Sequence, residues 1–196
     1  MRKTINCFIP YEENTAIDKV VTALKDSIVV NKIYLLTTAH GSMPSVPAGC
    51  EPFTIDSLNS SDTIKKIAQK ADTPFTLLYT KASPFELGYM ALERIADFLQ
   101  DRKTGMVYAD HYEWKEGEKK KHPAIDYQPG SVRDDFDFGA LLAFRSEYLI
   151  GAAGMMENER ENYRYAGLYA TRLFIAETSR IVHINDCLLY TSPSPR

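Results

Sequence analysis

The chain has 196 residues, of which 44% are hydrophobic and 25% are charged, and its formal net charge is -3. A chain of this length and composition can bury one core, so we expect a single globular domain and exclude a disordered or fibrous protein. The mixed, slightly acidic charge gives no broad basic surface, and we therefore expect neither nucleic acid nor anionic membranes as general partners.

Cysteine usage and hydropathy both predict a cytoplasmic protein. The three cysteines, Cys7, Cys50 and Cys187, have no metal-ligand spacing and cannot form an even-numbered disulfide framework, which suits a reducing compartment. No apolar run reaches the roughly 18 residues that span a bilayer, and no hydrophobic signal-peptide core follows the polar start. We therefore expect no transmembrane segment.

The first hundred residues alternate between strand-like and helix-like patterns. Apolar, β-prone runs predict strands at Thr4–Pro10, Lys32–Thr37, Phe53–Ile55 and Phe75–Tyr79. Helical periodicity predicts a helix at Thr15–Ile28 after the candidate cap Asn14. It predicts a second helix through Ile64, Ile67 and Ala68 after a cap at Ser61 or Asp62, and a third at Pro84–Phe98 with Phe98 facing inward. This alternation predicts an α/β fold with a mostly parallel sheet covered by helices on both faces.

A fifth strand is predicted in the stretch GMVYADHY, Gly105–Tyr112, and its carboxyl end is polar. Because ligands bind at that end of the strands in open α/β sheets, Asp110 and His111 are candidate site residues, although Asp110 could also only cap a turn. The remaining predicted elements are a hairpin over Tyr112–Tyr127 with its turn near Gly117, a strand at Phe138–Phe144, and helices at Ser146–Met156 and Tyr165–Glu177.

Six segments, in this order, resemble a family 2 glycosyltransferase of the GT-A fold. They are FIPY (Phe8–Tyr11), YLLT (Tyr34–Thr37), FTLLYTK (Phe75–Lys81), ALERI (Ala91–Ile95), VYADHY (Val107–Tyr112) and VHIN (Val182–Asn185). The resemblance covers roughly residues 4–186. It implies a Rossmann-like, mostly parallel sheet flanked by helices, with a small β-hairpin excursion. It also implies transfer of a sugar from a nucleotide-sugar donor to a glycan acceptor in bacterial cell-surface polysaccharide synthesis.

The chain departs from the pattern of this family at three functional positions. The family has an acidic residue at the end of the second strand, where this chain has Thr37 and Thr38. The family has Asp-x-Asp after the fourth strand to hold Mg²⁺ or Mn²⁺, where this chain has Thr80, Lys81 and Ala82. The family's acidic pair opening the late helix is absent from residues 165–167. The alternative function is therefore a catalytically degenerate GT-A domain, a non-enzymatic binding or assembly module for a partner transferase.

The residues that end neighbouring predicted strands are expected to converge on one edge and bind the nucleotide-sugar. These candidate donor-binding residues are Pro10, Tyr11, Thr37, Lys81, Asp110 and His111. Lys81 could supply the positive charge that a metal normally gives to a departing diphosphate, or it could be a plain surface lysine. His111 could donate a hydrogen bond to a phosphate or a sugar hydroxyl, or it could pack among the neighbouring tyrosines.

The remaining carboxylates are candidates for metal binding and catalysis. Asp110 is the candidate ligand for Mg²⁺ or Mn²⁺ and the candidate ribose contact. Asp135 and Asp137, in the segment RDDFDFG, are candidate catalytic carboxylates, and one of them could act as a proton-accepting group with a raised pKa if they meet Asp110 across the sheet edge. An ion pair with Arg133 and exposed loop charges would explain the same segment. With one carboxylate in the pocket, we expect weak metal affinity and activity that depends little on Mn²⁺.

The last ten residues form a separate segment. CLLYTSPSPR, Cys187–Arg196, resembles the translation of a transposase-end sequencing adapter. This resemblance predicts a GT-A-like domain over residues 1–186, truncated at its C-terminal end, followed by a non-native tail over residues 187–196. The tail is expected to be exposed and to make few contacts with the sheet.

Overall fold

One sheet with helices on both faces organises the chain. The computed structural model describes residues 3–12, 17–38, 46–115, 118–128, 130, 136–160 and 162–191. Its strands are β1 (Ile5–Pro10), β2 (Val30–Thr38), β3 (Glu51–Ile55), β4 (Phe75–Tyr79), β5 (Phe85–Leu87), β6 (Thr104–Lys115), β7 (Glu118–His122), β8 (Leu141–Arg145) and β9 (Arg180–Thr191). Its helices are α1 (Asp18–Asp26), α2 (Ser61–Gln69), α3 (Ala91–Leu99), α4 (Ser146–Asn158) and α5 (Gly167–Thr178).

The order of the strands is β3-β2-β1-β4-β8-β6-β9-β5, and β7 pairs with the far end of β6. Strands β1, β2, β3 and β4 are mutually parallel, and β6 is parallel to β9. Because β8 is antiparallel to both β4 and β6, those two strands run in the same direction. The predicted fold class, a mostly parallel central sheet that includes the first, second, fourth and fifth predicted strands, is confirmed.

The helices cover both faces because the strands carry apolar side chains on both faces. In β1, Ile5, Cys7 and Ile9 belong to the core under α1 and α3, whereas Phe8 belongs to the core under α2, α4 and α5. Phe8 stacks on Tyr34 with ring centroids 4.7 Å apart. No helix within the described residues is long and apolar enough to cross a membrane.

The helix predicted at Pro84–Phe98 is wrong in its first half. Residues Phe85–Leu87 form β5, which pairs antiparallel with β9, and α3 begins only after Met90, whose φ of 50° lies in the left-handed region. Phe98 is 43% exposed, contrary to its predicted inward position. The physical reason is that the pairing with β9 comes from a distant part of the chain and overrides the local helical periodicity.

The N-cap of α2 lies one residue before the first of the two predicted caps. Ser60 is the N-cap, and its side-chain oxygen accepts a hydrogen bond from the backbone N–H of Thr63 at 3.1 Å. Ser61 is fully buried, and its backbone N–H donates to the carbonyl of Tyr163. The local sequence does not distinguish among Ser60, Ser61 and Asp62, because all three are residue types that favour the N-cap position.

Strand β6 is longer than the predicted fifth strand. It continues to residue 115 and forms a hairpin with β7, in which His111 pairs with His122 and Glu113 with Lys120. The hairpin excursion is thus present, while residues 116 and 117, where its turn was expected, lie outside the described residues. Asp110 and His111 therefore lie inside a strand, and each is only 2% exposed.

The prediction that the last ten residues are exposed is wrong for residues 187–191. These residues continue β9 between β5 and β6, and Leu188, Leu189 and Thr191 are 1–2% exposed. Apolar side chains in a strand with neighbours on both sides are buried because this removes their surface from water. Residues 192–196 lie outside the described residues, and the domain boundary at residue 186 and the adapter origin of the tail stay predictions.

The burial of Cys7 in β1 predicts the order in which the cysteines react with thiol reagents. Cys7 is fully buried, and desolvation raises the pKa of its thiol far above the ordinary value, whereas Cys50 and Cys187 are half-buried. Because the thiolate is the reactive species, we expect a thiol reagent to modify Cys50 and Cys187 in the native protein and Cys7 only after unfolding. Mass spectrometry of the native and denatured protein measures this order, and rapid native labelling of Cys7 would contradict the β1 assignment.

Candidate functional site

The carboxyl ends of β1, β2 and β4 meet at one edge of the sheet. Pro10 of β1 pairs with Leu36 of β2, and Phe8 pairs with Leu78 of β4. Extending this parallel register by two residues brings Pro10 alongside Thr80, which directly precedes Lys81. This is the edge at which open α/β sheets bind ligands.

Strand β6 reaches the same edge through its pairing with β8. Thr76 of β4 and Met106 of β6 both pair with Phe144, so the two strands are level at that point. Five residues further along each strand, Lys81 and His111 should also be level. The contacts agree with this register, because the ammonium of Lys81 lies 3.2 Å from a carboxylate oxygen of Glu113.

Three side chains of the β6–β7 hairpin, His111, Glu113 and His122, form a group that we call the hairpin triad. His111 and His122 are opposite each other across the hairpin, and their ring centroids are 4.7 Å apart. Glu113 follows two residues later on the same face of β6, and its Oε1 lies 3.5 Å from Nε2 of His111. One potential ligand atom from each residue lies within 4.8 Å of the other two, so the triad could hold a metal ion.

The environment of the triad favours a neutral imidazole beside an ionised carboxylate. Burial lowers the pKa of His111, and electrostatic interaction with His122 and Lys81 lowers it further against the opposing effect of Glu113. Burial would raise the pKa of Glu113. The hydrogen bonds of Glu113 with Lys81 and His111 and its attraction to Lys81 outweigh this effect and hold the pKa below its ordinary value. The Nδ1 atom of His111 is buried and has no hydrogen-bond partner among the described residues.

Asp137, one of the two candidate catalytic acids, contacts the triad. Its Oδ2 lies 2.8 Å from Nε2 of His122, and its Oδ1 accepts a hydrogen bond from the backbone N–H of Gly139 at 2.7 Å. Burial would raise the pKa of Asp137, but these two partners outweigh it and lower the pKa. The raised pKa expected for this residue is therefore wrong in direction. Asp135 lies outside the described residues.

Asp110 belongs to a different cluster of polar residues from its neighbour His111. Its Oδ1 accepts hydrogen bonds from Nε2 of His183 at 2.8 Å and from the backbone N–H of Ala124 at 2.9 Å, and its Oδ2 lies 2.9 Å from the ammonium of Lys121. Burial would raise the pKa of Asp110, but these three partners outweigh it and lower the pKa. The expected meeting of Asp110 with Asp137 is not seen, because Asp137 contacts the triad instead.

The surroundings of Asp110 do not fit the Mg²⁺ or Mn²⁺ that the family resemblance implies. Such hard cations prefer several oxygen ligands, whereas three hydrogen-bond donors already engage both oxygens of Asp110. After β4 the chain has Thr80, Lys81 and Ala82 in place of carboxylates. Asp110 as a metal ligand stays a prediction.

The other candidate donor-binding residues lie on β1 and β2. The backbone N–H of Tyr11 donates to the carbonyl of Leu36 at 2.8 Å, and Thr37 is 5% exposed within β2. The segments that follow these strands include residues 13–16 and 39–45, which lie outside the described residues. One pocket shared by Pro10, Tyr11, Thr37, Lys81 and Asp110 therefore stays a prediction.

Two members of the triad, Glu113 and His122, were not among the residues predicted from sequence. Both lie in the predicted hairpin Tyr112–Tyr127. A signal for them exists, because a turn near Gly117 places residue 111 opposite residue 122, and residues 111 and 113 share a face of the strand. Pairing the two histidines across that turn would have found the triad.

Comparison with known proteins shows similarity of fold. No known protein family and no curated protein sequence matches the chain. One similar solved structure is 2-C-methyl-D-erythritol 4-phosphate cytidylyltransferase from Thermus thermophilus. Its sequence identity to this chain is 11% and its TM-score is 0.56, and the match covers 93% of this chain and 89% of that one. Another is glucosyl-3-phosphoglycerate synthase from Mycobacterium tuberculosis in complex with Mn²⁺, uridine diphosphate and phosphoglyceric acid. Its sequence identity is 10% and its TM-score is 0.53, and the match covers 98% of this chain and 72% of that one.

A third solved structure, TarS from S. aureus, is 9% identical with a TM-score of 0.60, and the match covers 96% of this chain and 60% of that one. At these identities the similarity concerns the fold alone. The chain has the GT-A-like α/β fold that these transferases share.

Proposed function

We propose that the chain is a glycosyltransferase domain that binds a nucleotide-sugar donor at the carboxyl-end edge of its sheet. The sugar would pass to a glycan acceptor in bacterial cell-surface polysaccharide synthesis. The GT-A-like fold supports the proposal, as does the uridine diphosphate held by the similar Mycobacterium tuberculosis enzyme. The ordered family resemblance from Phe8 to Asn185 supports assignment to family 2.

The observation that carries this proposal is the position of Lys81. It lies two residues after β4, where the family has its metal-binding carboxylates, and its side chain is only 17% exposed. Glu113 holds the ammonium at 3.2 Å, which fixes a positive charge near the strand ends. A fixed cation stabilises the negative charge that develops on a departing diphosphate, so Lys81 would take over part of the role of a metal.

The other proposed roles follow from the strand ends. Pro10, Tyr11 and Thr37 would line the nucleoside, and His111 would contact the diphosphate or the sugar. Asp110 would be the remaining ribose contact. Asp137 would accept the proton of the acceptor hydroxyl, because its lowered pKa keeps it ionised at neutral pH, and Asp135 is the second candidate for this role.

A second candidate function is a non-enzymatic binding module that supports a partner transferase. The observation that favours it is the saturation of Asp110 by His183, Ala124 and Lys121, combined with the lack of carboxylates after β4. Such a module would bind the nucleotide without turning over the sugar donor. Release of UDP from UDP-sugars in the presence of glycan acceptors distinguishes the two functions.

The proposal is tested by calorimetric titration of UDP into the wild type and Lys81→Ala. We expect Lys81→Ala to weaken UDP binding by roughly 10- to 100-fold, because a hydrogen bond to a charged group contributes about 1.5–3 kcal/mol. Lys103→Ala is the matched control, since this exposed lysine lies at the opposite, amino end of β6. We also expect EDTA to change UDP affinity little.

Two results would overturn the assignment of the donor site. Equal UDP affinity in the wild type and Lys81→Ala would remove Lys81 from the site. An absence of UDP binding to the folded wild type, with and without Mn²⁺, would remove uridine nucleotides as ligands of this edge.

A further inference from the structure

We propose that the hairpin triad, His111, Glu113 and His122, is a binding site for a divalent transition metal ion of the Zn²⁺ type. This site differs in residues and in ligand chemistry from the oxygen-rich Mg²⁺ or Mn²⁺ site that the family resemblance implies. It uses two imidazole nitrogens and one carboxylate oxygen, all from a single β-hairpin.

The geometry of the hairpin already brings the ligand atoms close to metal-binding distances. Two ligands of a tetrahedral Zn²⁺ ion are about 3.4 Å apart, because Zn–N and Zn–O bonds are about 2.0–2.2 Å long. Nε2 of His111 and Oε1 of Glu113 are 3.5 Å apart, and all three ligand atoms lie within 4.8 Å of one another. Small side-chain rotations would bring the three atoms to this spacing without moving the paired backbones.

The chemistry of the donor set selects the class of metal. Imidazole is a preferred ligand of Zn²⁺, Cu²⁺, Fe²⁺ and Ni²⁺, whereas Mg²⁺ prefers oxygen ligands and retains several waters. His111 lies at the base of the site with a side chain 3% exposed, while Glu113 and His122 are 22% and 42% exposed. Three protein ligands with an open outer side would leave a coordination position for water or a substrate group.

Asp137 is placed to orient one of the ligands. Its Oδ2 lies 2.8 Å from Nε2 of His122, and the backbone N–H of Gly139 fixes the other oxygen. A carboxylate that accepts a hydrogen bond from a metal-bound histidine fixes its ring orientation, and loss of such a partner typically weakens metal binding by about 10- to 100-fold. In this arrangement the other ring nitrogen of His122 binds the metal and Asp137 is a positioning residue.

Lys81 competes with the metal for Glu113. Its ammonium lies 3.2 Å from Oε1, the same oxygen that faces His111. A bound dication would displace or repel this ammonium, so removal of Lys81 should strengthen metal binding. If the Lys81–Glu113 ion pair had only a structural role, removal of Lys81 would not raise the affinity for the metal.

The test is calorimetric titration of ZnCl₂, and separately of MgCl₂, into the full chain without nucleotide. Two variants, Glu113→Gln and His122→Asn, change the partly exposed ligands. Two more, Asp137→Asn and Lys81→Ala, change the residues that contact those ligands. The matched control is Glu118→Gln, the same exchange at an exposed position of the same hairpin. A parallel titration of the protein carrying Cys50→Ser and Cys187→Ser separates binding by the triad from binding by thiolates, and circular dichroism checks the fold of every variant.

We expect one Zn²⁺ per chain and no saturable Mg²⁺ binding over the same concentration range. Glu113→Gln and His122→Asn should each weaken Zn²⁺ binding by at least about 100-fold, and Asp137→Asn by about 10- to 100-fold. Lys81→Ala should strengthen it roughly fivefold, the scale of one partly exposed ion pair, and Glu118→Gln should leave it unchanged.

Three results would overturn the site. They are an absence of stoichiometric Zn²⁺ binding to the wild type, binding that is lost with the two serine substitutions, and equal affinity in Glu113→Gln, His122→Asn and Glu118→Gln. Because no nucleotide is present, failure of this test leaves the proposed donor site untouched, and failure of UDP binding leaves this one untouched.

Discussion

Gly167→Ala is expected to lower the free energy of unfolding by about 3 kcal/mol, the upper end of the usual cost of overpacking. Gly167 begins α5, and an added Cβ would lie 2.3 Å from the backbone nitrogen of Ser61 and 2.5 Å from the backbone carbon of Ser60. These atoms belong to the start of α2 and cannot rotate away as a flexible side chain can. The two helices would have to separate, which breaks the 2.7 Å hydrogen bond from Gly167 N–H to the carbonyl of Asn59.

Gly154→Ala is the matched control for this prediction. Gly154 lies inside α4, and among the described residues no heavy atom beyond its chain neighbours and its own helix backbone lies within 4 Å of an added Cβ. Alanine is favoured over glycine in a helix interior by about 0.5–1 kcal/mol, so this variant should be slightly more stable than the wild type. Urea unfolding followed by circular dichroism measures both variants. A Gly167→Ala protein within about 0.5 kcal/mol of the wild type, the range of ordinary surface substitutions, would contradict the close approach of α5 to α2.

The fold was predictable where local pattern and burial agree. Phe75–Tyr79 was predicted with the bounds of β4, because a continuous run of residues suited to a strand is what burial on both faces requires. Phe85–Leu87 was missed because β5 exists through its pairing with β9, and no local pattern carries that information. The burial of Leu188 and Leu189 was missed for the same reason, since their neighbours β5 and β6 come from earlier in the chain.

The candidate site was predictable only in part. Lys81 and His111 follow from strand order, because each lies near the carboxyl end of a strand in one sheet. Glu113 and His122 were missed because the sequence predicts a hairpin beyond Tyr112 without its register, and only the register places His122 opposite His111. The partners of Asp110 could not be predicted, because His183 is 73 positions away and the contact depends on the pairing of β6 with β9.

The environment of Asp110 predicts a large effect of substitution on stability. We expect Asp110→Asn to lower the free energy of unfolding at pH 7 by about 3 kcal/mol, because the buried carboxylate that three donors engage is lost and a hydrogen bond to a charged group contributes about 1.5–3 kcal/mol. Asp110 is 2% exposed and is held by His183, Lys121 and Ala124, and His183 stacks on Tyr108 at 4.7 Å. Asp186→Asn is the matched control, since this exposed carboxylate pairs with Arg94 at the surface and its loss should change stability by less than about 1 kcal/mol.

The pH dependence of this effect follows from the lowered pKa of Asp110. Burial alone would raise that pKa, but Lys121, the N–H of Ala124 and His183 outweigh it. A carboxyl whose pKa is lower in the folded state stabilises the fold above its unfolded pKa of about 3.9, and this contribution is lost as pH falls through the folded value. The stability difference between the wild type and Asp110→Asn should therefore be largest near pH 7 and shrink below about pH 4.

Urea unfolding at pH 7 and pH 3.5, combined with UDP titration at pH 7, separates the structural role of Asp110 from a ligand-binding role. A structural anchor predicts the loss of stability and its decrease in acid, with UDP affinity of the folded variant close to that of the wild type. The opposite result, unchanged stability with UDP affinity reduced tenfold or more, would favour the proposed role of Asp110 in the donor site. In that case the contacts of Asp110 with His183 and Lys121 would hold its carboxylate ready for the ligand, because prepositioned charges need no reorganisation on binding.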